Sequence, residues 1–448
     1  MEFGIISVIP VVVMVVGSLI TKRLIEMSII SSVLAGILLF QGNFLTEYTD
    51  QFYTTLAGET YSSIFFILMG FGAIIELARS TGALNGFALA LGKFANTRRK
   101  SLVITYILGW ILFADDYLLT LGSCYTMRNI TDKHGVPREH LALMGILSAN
   151  NVCVIVPVTS WAVFNIATAK KFGYDVGMYI QTIPYLFYPI VAMIILLLLA
   201  LEIFPKLGTL KASYKRVEEG GPLWEKSELE QAIDEELEEL ENDDEVMGPL
   251  YFFLPLIILI VVTVSISIEL GMLAALICQF IMYVLIKRIK AAKFFETMFA
   301  GFKDMTQIAF VILMVCTMSE MSIKMGVDKY LINLIVGNVP AWILPAMFFI
   351  AVLIVTMTSD GWASIALAVP IMLPMAIAAG VPLTLAYGAI ISGSSAGVAS
   401  CLFSDSMFMA SACTGIPNDR ELKVNVPYVG ISAAIALALF LVVAKMVC

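Results

Sequence analysis

Apolar runs of bilayer-spanning length follow one another along almost the whole chain, separated by short polar joints. Hydrocarbon offers the backbone no water, so a run of about 20 apolar residues satisfies its own N–H and C=O groups as a helix. In the first half the runs fall near 5–20, 24–41, 61–79, 101–127, 141–167 and 180–203. In the second they fall near 250–267, 269–286, 304–324, 341–370, 385–413 and 427–447. Hydrophobic residues make up 60% of the 448 and charged residues only 14%, a balance no soluble globular domain of this size shows. An all-α polytopic membrane protein is expected. The first run, Ile5 to Ile20, follows Met1-Glu2-Phe3 without a basic n-region or a small-residue cleavage site, so it is expected to remain as a span.

The two series share landmarks at a constant offset of 244 residues: Glu76 with Glu320, Gly82 with Gly326, Asp116 with Asp360, Leu141 with Leu385, Ser148 with Ser392 and Ser160 with Ser404. Such spacing implies an internal duplication, with a first transmembrane repeat over 1–205, an acidic cytoplasmic linker over 206–248 and a second repeat over 249–448. From Glu218 to Glu245 the chain holds fourteen Asp or Glu against one Lys, whereas the remainder carries 21 acidic and 26 basic residues. The net charge of −8 therefore belongs to the linker, where Leu229, Ile233, Leu237 and Leu240 recur at helical spacing. Basic residues at Lys22-Arg23, 98–100, 128–138, 206–216, 287–293, Arg420 and Lys423 assign these joints to the cytoplasm, opposite a loop over 42–60 that has none. This distribution is consistent if 101–127 and 341–370 enter and return as hairpins. Each half then has about five transmembrane helices plus one re-entrant hairpin, an odd number of crossings, and the repeats are inverted, as in many secondary transporters. Lys170-Lys171 and Lys329 face outward in that arrangement.

Carboxylates at bilayer depth cost roughly 2.5–3.5 kcal/mol even on lenient scales and tend to mark ion pathways. Asp115 and Asp116 stand together in the first hairpin, and Ser359-Asp360 occupies the matching place in the second. Downstream, Asn150-Asn151 and Thr159-Ser160 interrupt one apolar segment, while Ser394-Ser395 and Ser404-Asp405 interrupt its counterpart. Carboxylate, hydroxyl and freed carbonyl oxygens are hard donors suited to a small alkali cation or a proton. Sodium is expected at Asp116, Asp360 and Asp405, as the coupling ion and without any cofactor. Helix capping by the Asp pair and tight packing of small residues over 392–397 are the structural alternatives. Glu76 and Glu320 are weaker candidates, since Glu76 can pair with Arg79 one turn on. The seven cysteines show neither C-x-x-C nor metal spacing. Both histidines, His134 and His140, lie in what reads as one polar loop, so no His-based metal centre is expected in the membrane.

The run Phe113-Ala-Asp-Asp-Tyr117, then Thr126-Met-Arg-Asn-Ile-Thr-Asp-Lys-His-Gly-Val-Pro-Arg-Glu-His-Leu-Ala142, resembles the NhaC-type sodium/proton antiporters of the ion transporter superfamily. The segments Pro157-Val-Thr-Ser-Trp161, Ser404-Asp405 and Ala412-Cys-Thr-Gly415 continue the likeness across nearly the whole chain. The resemblance implies sodium-coupled transport through inverted repeats with re-entrant hairpins. It carries ion-site roles onto Asp115, Asp116, Thr159, Ser160, Ser404 and Asp405. Many members have Gly-Asp-His shortly before the second Ser-Asp, where this chain reads Val398-Ala399-Ser400. The expected activity is exchange of Na⁺ for H⁺ through the Asp cluster; the alternative is sodium-coupled symport or antiport of a small organic acid or amino acid. An intramembrane enzyme is not expected, because a duplicated, inverted scaffold serves transport. Expected partners are the lipid bilayer and a small ion or molecule, with no nucleic acid and with room for a homodimer. The expected location is the plasma membrane of a prokaryotic cell, crossed many times.

Overall fold

The computed structural model describes residues 3–21, 23–81, 95–113, 115–224, 250–335, 338–357, 361–402 and 404–448. Among them no β-strand occurs, and the chain is an all-α polytopic membrane protein. The first half comprises α1 (Ile9–Thr21), α2 (Leu24–Phe40), α3 (Phe44–Ala57), α4 (Glu59–Ser80), α5 (Arg98–Ile111), α6 (Asp116–Lys133), α7 (Arg138–Ile155), α8 (Ser160–Ala169), α9 (Val176–Thr182), α10 (Phe187–Ala200) and α11 (Gly208–Glu218). The second comprises α12 (Leu250–Ser265), α13 (Ile268–Phe280), α14 (Ala291–Lys324), α15 (Val327–Ile335), α16 (Leu344–Thr356), α17 (Gly361–Ala378), α18 (Leu383–Val398), α19 (Asp405–Thr414) and α20 (Asn418–Val447). By length and composition six described helices can cross a membrane, or up to eight if each of two bent helix pairs is one span.

Helix boundaries recur within a few residues of the 244 offset: α1 with α12, α2 with α13, α5 with α16, α6 with α17, α7 with α18 and α8 with α19. Packing follows the same correspondence. Helix α6 lies on α19 as α17 lies on α8, α5 lies on α7 as α16 lies on α18, and α4 meets α13 as α14 meets α2. Two further contacts join corresponding helices, α4 with α14 and α7 with α18. Between α7 and α18, the Ser395 hydroxyl donates to Asn151 Oδ1 at 2.8 Å across a sequence separation of 244. Asn151 and Ser395, counterparts at the 244-residue offset, thus bond to each other.

Several expectations needed correction. The presumed loop 42–60 is almost entirely helical, forming α3 and the start of α4. Its polar face carries buried Gln51 and Thr55, and its aromatic residues Phe44 and Tyr48 close over Gly36, where any side chain would clash with them. The run 304–324 is the end of the 34-residue α14, about 51 Å long at 1.5 Å per residue and so well beyond an approximately 30 Å hydrocarbon core. The run 180–203 is broken into α9 and α10, bent by 59° around Pro184. The polar loop around both histidines shrinks to residues 134–137. His140 lies in the first turn of α7, fully buried, with Nδ1 2.7 Å from the Tyr214 hydroxyl.

Residues 206–224, assigned to the linker by sequence, are packed on the body. Helix α11 buries Leu210, Ser213 and Tyr214 and meets α7 and α20. Fully buried Glu139 pairs with Arg216 at 3.0 Å and Arg420 at 2.9 Å. Arg138 lies 3.3 Å from the centroid of the Trp224 ring and pairs with Asp132 at 3.0 Å. Leu229, Ile233, Leu237 and Leu240 lie outside the described residues.

Helices α4 and α14 cross backbone to backbone: a Cβ added to Gly301 would lie 2.2 Å from the Gly72 carbonyl oxygen, and one added to Gly72 would lie 2.4 Å from that of Gly301. Membrane helices have little hydrophobic drive to associate, so such close approach supplies much of their attraction. Gly301→Ala is expected to push the helices apart at a cost of about 1–3 kcal/mol. Thermal unfolding in detergent should show a lower midpoint for this variant; an unchanged midpoint would contradict so tight a crossing.

Candidate functional site

The site is built where helices break inside apolar surroundings. Helix α5 ends at Ile111 and α6 begins at Asp116, and the two pack against each other across the turn. Asp115 closes the start of α6 by accepting from the Tyr117 backbone N–H at 2.9 Å, the usual way an Asp satisfies an orphan donor of a first turn. Its other oxygen accepts from the Ser160 hydroxyl at 2.7 Å. The capping alternative weighed for the Asp pair thus describes Asp115, which also reaches a second helix break.

Asp116 is different. It is buried at 3% exposure, and its Oδ1 has no hydrogen-bond partner. Asp115 and Asp405 are both within electrostatic reach of it. The Trp161 indole lies beside Asp116, but without hydrogen-bond geometry, since its Nε1 is also unpartnered. A buried polar atom left unpaired costs about 1–3 kcal/mol, more when charged, so a bare, charged Asp116 Oδ1 is costly where it stands.

The second carboxylate comes from the other half. Ser404 precedes α19 and donates to the Cys401 carbonyl at 3.2 Å, leaving Asp405 in the first helical position. Asp405 accepts from the Tyr117 hydroxyl at 2.6 Å. One tyrosine thus links the start of α19 to the start of α6, and one serine links the start of α8 to the same turn.

The break between α7 and α8, a bend of 46°, is held by Thr159. Its hydroxyl accepts from the Ala162 N–H at 2.9 Å and donates to the Cys153 carbonyl. The Cys153 thiol in turn contacts the Phe113 carbonyl at 3.4 Å, pinning the α5–α6 turn against α7. One turn earlier, the Ser395 hydroxyl donates to the Asn150 carbonyl at 2.6 Å as well as to Asn151, and Asn151 Nδ2 donates to Leu147 O at 2.6 Å. The Asn150 side-chain amide is buried with neither atom partnered. The Ser394 hydroxyl reaches the Gly361 carbonyl at 3.3 Å, tying α18 to the start of α17. Gly361 itself presses on Trp161 and Val398 so closely that an added Cβ would lie 2.4 and 2.7 Å from them. Trp161 and Trp362 stack at 4.5 Å. The start of α17 therefore approaches the first site, while Ser359 and Asp360 lie outside the described residues.

Glu76 and Glu320 stand apart from this cluster. Glu76 accepts from Arg79 at 2.8 Å. Glu320 accepts from Gln51 at 2.7 Å and Thr55 at 3.0 Å and lines a separate cavity. Among the described residues no three His, Cys, Asp or Glu side chains converge as a metal centre would; an ion at Asp116 would rely on hydroxyl, amide and carbonyl oxygens beside the carboxylates. Sequence reasoning missed Tyr117, although it lies within the Asp-Asp-Tyr run, because its partner is 288 residues away. It also missed the Trp161–Trp362 stack.

The model of the Na⁺/H⁺ antiporter family matches residues 152–445, about two thirds of the chain and including Thr159, Ser160 and Asp405. The chain belongs to the Na⁺/H⁺ antiporter family. Its likeness to other proteins extends beyond the matched segment. An uncharacterised protein of Haemophilus influenzae is 21% identical over 469 aligned residues, covering 94% of this chain and 87% of that protein. The crystal structure of the Alcanivorax borkumensis YdaH transporter, of unusual topology, superposes with a TM-score of 0.62 over 96% of this chain and 98% of its own, at 10% identity. That likeness speaks to the fold. Together these findings make the chain a multi-pass membrane transporter of the antiporter type.

Tyr117→Phe removes the donor to Asp405 and leaves a partly buried carboxylate oxygen without it. A loss of about 1–3 kcal/mol is expected, read as a lowered unfolding midpoint in detergent. If Tyr117→Phe unfolds like the wild type, the Tyr117–Asp405 bond does not hold α6 to α19.

Proposed function

We propose that the protein exchanges sodium ions for protons across the plasma membrane of a prokaryotic cell, through the carboxylates Asp115, Asp116 and Asp405. The observation that carries this reading is the buried, unpartnered Asp116 Oδ1 with two other carboxylates in electrostatic reach. A carboxylate at that depth is poorly tolerated when charged and bare. It is relieved either by a proton or by a small cation, and one occupant excludes the other. Exchange follows from that competition. Hard oxygen donors favour sodium over softer ions. Thr159 caps α8, Ser160 bonds Asp115 at the start of α6, and Ser404 precedes Asp405 at the start of α19. Asn150 offers an uncommitted amide oxygen, Asn151 and Ser395 join α7 to α18, and Ser394 joins α18 to α17. Ser359 and Asp360, outside the described residues, are assigned to the same constellation on the sequence alone, from their 244-residue correspondence with Asp115 and Asp116.

Exchange of this kind requires no organic solute. With purified protein in liposomes containing a pH dye, a sodium gradient alone is expected to drive proton movement, and Asp116→Asn to reduce it by about tenfold or more while leaving expression and size-exclusion behaviour intact. A strict requirement for an organic solute, or full exchange by Asp116→Asn, would overturn the reading.

The two halves act in opposite orientations in this reading, with α5–α6 entering and returning on the cytoplasmic side and α16–α17 on the outer side. The mutual packing of each pair supports it. Exposed positions at the helix ends allow a direct check. Single cysteines at Lys100 and Lys133 are expected to label from the cytoplasm, and those at Asn338 and Ala378 from outside, in a background lacking exposed Cys448. Labelling of Lys100→Cys and Lys133→Cys from opposite faces would mean that α5–α6 crosses the bilayer.

A further inference from the structure

A cavity of about 280 Å³ opens between α3, α4, α8, α14 and α17, away from the carboxylate cluster. Its walls carry the hydroxyls of Thr55, Tyr61, Thr168 and Ser319, together with Glu59, Glu320 and Lys171. The volume is near the lower end of the roughly 300–1,000 Å³ typical of small-molecule sites, and far above what a bare alkali ion fills.

The charges are what narrow the choice. Glu320 is half-buried, and its two hydrogen-bond donors, Gln51 and Thr55, are both neutral. Lys324, one turn along α14, is taken up by the Gln51 amide oxygen instead, so Glu320 forms no direct ion pair among the described residues. Lys171 supplies the opposite sign on the same wall, and the Cys316 thiol lies within electrostatic reach of both. The neighbouring Lys170 is already engaged with Glu59. The Ser319 hydroxyl, at 3% exposure, lines the cavity beside Glu320 and has no partner. A carboxylate without a direct ion pair, an unengaged ammonium and an idle hydroxyl in a space of this size suit one ligand with both signs of charge.

We propose that this cavity binds a small zwitterion, an α-amino acid with a short side chain, whose ammonium rests on Glu320 and whose carboxylate reaches Lys171. Ser319 and Thr168 add neutral hydrogen bonds, and the apolar Ala366 and Pro370 of α17 receive the side chain. Helices α8 and α17 both begin at the carboxylate site. Thr168 lies eight residues along α8 from Ser160, and Pro370 nine along α17 from Gly361, which sets the cavity about 12–14 Å from it. Occupancy of the cavity thus bears on the two helices that open onto the ion site. The proposal does not depend on which ion is exchanged there.

The test uses the full-length protein in detergent, with glycine, L-alanine and L-serine compared against alaninamide, which keeps only the cation, and propionate, which keeps only the anion. Ligands of the native state raise its apparent melting temperature by mass action. The zwitterions are expected to raise it by several degrees at millimolar concentration, with alaninamide and propionate giving little or no shift. Lys171→Gln, an exposed position that does not threaten folding, should abolish the zwitterion shift while leaving sodium-driven proton movement in liposomes at the wild-type rate. Glu320→Gln should abolish the shift as well. An equal shift from alaninamide, no shift from any zwitterion, or a shift that survives both substitutions would each overturn the proposal.

Discussion

Stopping a helix inside a membrane leaves peptide groups with nothing nearby to bond, and the arrangement of this protein follows from how those groups are satisfied. The loose carbonyls near the breaks are met by side chains brought from elsewhere. Phe113 O contacts the Cys153 thiol, Val154 O accepts from Tyr179 at 2.7 Å, and Ala399 O accepts from Asn425 at 3.3 Å. Leu402 O accepts from Asn418 at 3.2 Å. None of these partners lies in the helix it completes. Each broken helix is therefore stable only in the company of the others, and the polar groups needed for that purpose collect in one region. The uncommitted atoms at Asp116 and Asn150 are among the positions in that region where the protein supplies no partner.

Correspondence between the halves is close along α1, α2 and α5 to α8 with their counterparts α12, α13 and α16 to α19, and it breaks down at two places. The first half splits into α3 and α4 where the second runs on as α14. Conversely, α9 and α10 bend by 59° around Pro184 where α20 continues through Pro427. The departures matter for chemistry. Because α3 is a separate helix, Gln51 and Thr55 can turn toward Glu320; at the matching place near Glu76 the carboxylate instead meets Arg79 of its own helix. Corresponding acids thus sit in unlike surroundings, one beside a cavity and one in a local ion pair.

Much of this was legible in the sequence because lipid imposes a simple rule on composition. Helical class and the 244-residue offset follow from apolar runs and landmark residues, and the interruptions at Asp115, Thr159, Asp360 and Ser404 stand out as polar residues where none should be. What escaped notice lacked such contrast. Helix α3 is too polar to read as a span, and its Gln51 and Thr55 are buried against another helix. Arg138 and Glu139, counted as loop charges, are buried with partners at Trp224, Arg216 and Arg420 that only folding brings near. Tyr117 needed Asp405, and Ser395 needed Asn151, each pairing closing a separation far beyond any local pattern.

The contact between Asn151 and Ser395 has a consequence for what the duplication became. Two identical half-chains assembled about a twofold axis would set the same side chain against itself, with neither copy favoured as donor. Here one side of the axis offers a hydroxyl and the other an amide oxygen and a backbone carbonyl, so the direction of both bonds is fixed by sequence. The halves can no longer trade places, and a structure that looks like a dimer of equals has been committed to a single, ordered pairing.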